Sequence, residues 1–91
     1  MTNRDAYIEG LDAQLRNWSA SLDVLKGKAA RATADLRVAY HKQIDDLKFR
    51  HQSAQHKVHE LKAVSEDAWD GARTAIEKAW GEIKSAFDNA T

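Results

Sequence analysis

The chain has no cysteine and no proline in 91 residues. Without cysteine there are no disulfides, no thiolate metal sites and no thiol nucleophile. Without proline nothing locks the backbone out of a helix, so long helical runs are permitted. Glycine is scarce at four residues, and aromatics are limited to three Trp, two Tyr and two Phe. No Gly-rich phosphate loop and no His-Glu-x-x-His helix occurs. Uninterrupted apolar runs are a few residues long, far short of the ~20 needed to span a bilayer. The first residues, MTNRDAYIEGLDAQL, carry no apolar core of a secretory signal, so the sequence reads as that of a cytoplasmic protein.

What is present is a periodic apolar seam. Ile8, Leu11, Leu15, Trp18, Leu22, Leu25, Ala29, Ala32, Leu36, Tyr40, Ile44, Leu47, His51, Ala54, Val58 and Leu61 follow one another at steps of three or four. Such spacing places them along one side of a helix, which must meet another helix to leave water. The pattern predicts one long coiled-coil helix over about residues 3–64, roughly 90 Å at 1.5 Å per residue. Thr2 and Asp5 have the spacing of a capping box at its start. Gly10 and Gly27 weaken the helix by about 1 kcal/mol each relative to alanine, which does not break it. The eleven-residue step from Leu36 to Leu47 is a stutter that locally unwinds the supercoil.

The stretch Lys62-Ala63-Val64-Ser65-Glu66-Asp67 holds the best signal for a break. Ser65 suits an N-cap, and Glu66 and Asp67 suit a first turn. A second helix over about 66–88 then carries an eleven-residue repeat, Ala68-Trp69 and Ala79-Trp80. Trp69, Ala72, Ile76, Trp80, Ile83 and Phe87 share one of its faces.

The formal charge is zero overall but uneven. Residues 1–23 hold two Lys/Arg against four Asp/Glu, a net of −2; residues 24–62 hold nine against four, a net of +5; residues 63–91 hold three against six, a net of −3. An acidic C-terminal helix beside a basic middle favours folding back. The expected fold is therefore all-α: a helical hairpin in which the shorter helix covers the basic half of the long one. The section from Leu11 to Leu25, with Trp18, is left to face another chain, and an antiparallel homodimer within a helical bundle is the expected assembly. An unidentified protein partner is also compatible with such a surface.

Four histidines, His41, His51, His56 and His59, raise the question of a metal site. Only His56 and His59, at i and i+3, share a face, so three imidazoles do not converge on one helix. His51, in the seam, is expected to fix register and, once protonated, to loosen the assembly. The basic middle is interrupted by Asp35, Asp45, Asp46 and Glu60, which argues against nucleic acid. The eleven-residue repeat of the second helix allows a membrane-surface reading, but its polar face is acidic and anionic lipids favour the opposite sign. Asp45 and Asp46 are adjacent and point to different sides of a helix, so they are no acid–base pair. No catalytic residue and no cofactor is expected.

Several stretches resemble a family of small bacterial coiled-coil proteins described as cyanobacterial-type stress-response proteins. They are Asn3-Arg4-Asp5-Ala6-Tyr7, Leu15-x-x-Trp18, Tyr40-x-x-Gln43-Ile44-x-x-Leu47, Asp67-Ala68-Trp69-Asp70 and the run from Glu77 to Phe87. The resemblance covers roughly residues 3–88, and the section around His51, His56 and His59 departs from it. It implies a soluble, non-enzymatic protein tied to stress, with no catalytic residues.

Overall fold

The computed structural model describes residues 3–90, so the Thr2 half of the expected capping box lies outside the described residues. Three helices and no strand make up these residues: α1 Asn3–Arg31, α2 Ala34–Ala63 and α3 Glu66–Ala90. The all-α class stands. The long helix over 3–64 does not. It is broken at Ala32 and Thr33, and α2 runs back antiparallel along α1. The bundle measures 52 × 21 × 18 Å, in place of a rod of roughly 90 Å.

The reason for the break lies in burial. A single helix shields none of its own seam. Reversed on itself, the seam of α1 (Ile8, Leu11, Leu15, Trp18, Leu22, Leu25, Ala29) meets that of α2 (Ile44, Leu47, Ala54, Val58, Leu61). The section from Leu11 to Leu25, expected to face another chain, is thus buried within its own. Each apolar side chain removed from water contributes roughly 1.5–3 kcal/mol, far more than the helical hydrogen bonds lost at one turn.

Both turns are built alike. Ala32-Thr33-Ala34-Asp35 and Val64-Ser65-Glu66-Asp67 each set a small or β-branched residue before a hydroxyl residue, with Asp two places later. Thr33 sits at φ −65°, ψ 165° and Val64 at φ −74°, ψ 149°, both extended. No described residue, glycine included, has positive φ. The amide of Ala32 donates to the Ala29 carbonyl at 3.2 Å to close α1, and that of Arg37 donates to the Thr33 carbonyl at 2.8 Å to open α2. The Thr33 hydroxyl makes no capping bond.

α3 lies across the groove between the other two, parallel to α1. Ile76, Trp80, Ile83 and Phe87 are buried in the common core, and Trp69 is half-buried. Trp18 is the meeting point: the Phe87 ring stacks on it at 5.0 Å with planes 5° apart, and the Trp80 ring lies 4.9 Å away at 35°. The Trp80 indole N–H donates to the Gln14 side-chain oxygen, which satisfies the polar atom of a buried ring.

Of the seam positions, Ala32 at the turn and His51 are half-buried, and two just past the turn also lie outside the core. Leu36, just past the turn, is 55% exposed, and Tyr40 is half-buried. Neither lies against α3, because Phe87 is already level with Trp18, thirteen residues before the end of α1. Leu47→Ala should therefore lower the unfolding free energy by about 2–5 kcal/mol. Leu36→Ala, at the same periodicity in the sequence, should change it by no more than about 0.5 kcal/mol. Urea unfolding followed by far-UV circular dichroism reads both, and equal losses would contradict the placement of the turn.

Candidate functional site

The expected site residues divide by what they touch. Leu11, Leu15, Trp18, Leu22, Leu25, Ile44, Leu47, Val58, Leu61, Ile76, Trp80, Ile83 and Phe87 are core. They hold the bundle together and are closed to solvent. The apolar face of α3, which a membrane-surface reading needs free, is occupied by this packing.

At the closed end of the bundle, Arg4 ties three elements. Its Nη2 donates towards the carbonyls of Leu61 at 3.2 Å, Lys62 at 3.1 Å and Val64 at 2.7 Å. The last carbonyls of a helix have no intrahelical donor, and a guanidinium from α1 supplies one here in place of a glycine cap. The same guanidinium stands 4.9 Å from the Trp69 ring centre, a cation–π contact. Tyr7 meets Trp69 edge-on at 5.8 Å and donates its hydroxyl to Glu77 at 3.4 Å. Burial, then the Glu77 charge and this hydrogen bond, raise the Tyr7 pKa above the usual 10.0, against a smaller opposite effect of Arg73. At the other turn Arg37 repeats the device within the hairpin, donating from Nε to the Ala29 carbonyl and from Nη2 to that of Ala32, both at 3.3 Å.

The histidines do not gather. His51 is half-buried at the seam edge, and its Nε2 lies 2.9 Å from the Leu15 carbonyl, so that nitrogen carries the proton. This bond pins the register of α2 on α1. His56 pairs with Glu60 one turn away at 2.7 Å on the surface. His59 and His41 are exposed. Among the described residues no group of three His, Asp or Glu side chains could hold a metal ion.

One large aromatic side chain of α2 stands open to a partner. Phe49 is 71% exposed, well off the buried seam of Ile44, Leu47 and Ala54. It borders a groove between α2 and α3 of about 360 Å³, walled by Asp46, Arg50, Ser53 and Lys57 on one side and Ala79, Glu82 and Ile83 on the other. Arg50 bridges to Asp46 at 2.9 Å. Sequence periodicity passes over Phe49 because it falls outside the stripe. Its signal is that very mismatch: a large aromatic residue out of phase with the core. The Asp45–Asp46 pair shows the expected split, with Asp46 on this groove and Asp45 facing a second, shallow one between α1 and α2.

No helix among the described residues is long and apolar enough to cross a membrane. Comparison with family models, curated proteins and solved structures finds no match to this chain.

The Arg4 cap carries a direct test. Arg4→Ala should cost about 1.5–3 kcal/mol, the range for charge-assisted hydrogen bonds. Arg4→Lys should recover less than half of it, since an ammonium lacks the planar fork. Amide hydrogen exchange at residues 61–68 should quicken in both variants. Unchanged exchange in Arg4→Ala would show that the turn holds without the cap.

Proposed function

We propose that this protein acts by association and not by catalysis, as a small helical bundle that meets its partner through the outer side of α2. The first such partner is a second copy of the chain. The observation that carries this reading is Phe49, the most exposed large apolar side chain among the described residues, beside a groove of mixed charge. Large aromatics anchor protein interfaces, and polar rims surround them. The groove beside it carries both signs, Arg50 and Lys57 with Asp46 and Glu82, so a second copy can meet it with opposite charges. An isologous contact of this kind is self-complementary. The antiparallel dimer expected from the seam thus moves to a different surface, since the seam is used within the chain. The setting is the cytoplasm, in stress tolerance, as in the bacterial coiled-coil family that the sequence resembles.

Sedimentation equilibrium across a range of protein concentrations tests the proposal. Wild type should shift from one chain to two as concentration rises. Phe49→Glu should stay at one chain with unchanged helicity, because an exposed substitution leaves stability within about 0.5 kcal/mol. A single-chain mass throughout, or a dimer indifferent to Phe49→Glu, would overturn it.

A further inference from the structure

The end of the α1–α2 hairpin around Ala32 and Thr33 is unlike the rest of the surface in two independent ways. The first is charge. Residues 24–44 hold Lys26, Lys28, Arg31, Arg37 and Lys42 against Asp35 alone, a net of +4. Ion pairs among the described residues join Arg50 to Asp46, His56 to Glu60, Lys62 to Asp12 and Arg73 to Glu77. None of the five cations of the hairpin end takes part in them. The second is apolar exposure. Among the described residues the exposed large hydrophobic side chains are Val24 at 54%, Leu36 at 55%, Val38 at 58% and Phe49 at 71%. Leu36 and Val38 lie within about 8 Å of the turn along the helix axis and Val24 about 12 Å from it, at a rise of 1.5 Å per residue.

We infer that this hairpin end docks on an anionic lipid surface, with Leu36 and Val38 entering the headgroup region and Lys28 and Arg31 meeting lipid phosphates and carboxylates. Cations and aliphatic side chains at one tip are what an anionic bilayer surface rewards together: the first through its negative potential, the second through burial of apolar area. Leu36 and Val38 point to different sides of α2, so they form no stripe for a side-on groove. An end-on approach uses both. A nucleic-acid backbone would engage the cations but has no use for exposed leucine and valine. This contact differs from one through α3, whose apolar face is occupied in the core. It leaves the bundle folded.

Co-sedimentation of the full chain with phosphatidylcholine vesicles, with and without phosphatidylserine, tests the inference. Binding should require phosphatidylserine. Lys28→Gln with Arg31→Gln should weaken it about 25-fold, at roughly fivefold per basic side chain. Leu36→Asn with Val38→Asn should weaken it about tenfold, and Lys78→Gln, at an exposed position on α3, should leave it unchanged. An environment-sensitive dye on Val38→Cys should shift to the blue on binding, with no native cysteine to compete for the label. Emission of Trp18, Trp69 and Trp80, which lie where α3 covers the hairpin, should not move. Three results overturn the inference: no preference for phosphatidylserine; binding indifferent to Leu36 and Val38 and matched by duplex DNA, which marks a general polyanion patch; or a tryptophan shift, which marks α3 opening onto the lipid. Circular dichroism of each variant confirms that a loss of binding is not a loss of fold.

Discussion

An apolar seam must be covered, and in this chain it is covered by itself. The reversal at Ala32–Thr33 lays Leu11 to Leu25 against Leu47 to Leu61, and everything else follows from that contact. The two-helix hairpin presents a groove, α3 fills it with Ile76, Trp80, Ile83 and Phe87, and Trp18 touches two of the three aromatic side chains of the incoming helix. A continuous helix would leave the same side chains to be buried by another molecule, with a bimolecular entropy cost that an intrachain turn avoids.

The apolar positions were legible in the sequence because helical periodicity reports which face is buried. It does not report what buries that face. A heptad stripe looks the same whether the partner is a second chain or the same chain folded back, which is why Leu11, Trp18 and Leu25 were readable as core while the turn was not. The turn did have a signature, the hydroxyl residue and following acid shared by Thr33-Ala34-Asp35 and Ser65-Glu66-Asp67. At the first site the seam continues on both sides at unbroken spacing, and it masks the signal. Leu36 shows the cost of trusting phase alone: it keeps the seam period and is exposed. The stutter after it marks where the stripe is re-established on the returning helix.

The arginine caps were not legible at all. Arg4 reaches carbonyls about sixty residues away in the chain, and nothing local distinguishes it from a solvated charge. Arg37 is closer, yet its role exists only once the turn does. Both explain how a chain makes two tight reversals with no residue at positive φ. They give the orphan carbonyls a donor from a neighbouring helix, where many helices end on a left-handed glycine. The candidate surfaces were unreadable for a complementary reason: Phe49, Val38 and Val24 gain meaning only when the core is known and they are seen to be outside it.

A distance measured within one chain tests the fold-back most directly. Spin labels at Glu9→Cys and His59→Cys, both exposed positions on α1 and α2, sit near one another in the hairpin and fifty residues apart along a continuous helix. Double electron–electron resonance, with labelled chain diluted in excess unlabelled chain, separates the cases. The fold-back predicts a short distance that persists unchanged on dilution. A distance of roughly 75 Å, as 1.5 Å per residue along one helix requires, or a short distance that vanishes as unlabelled chain is added, would contradict it.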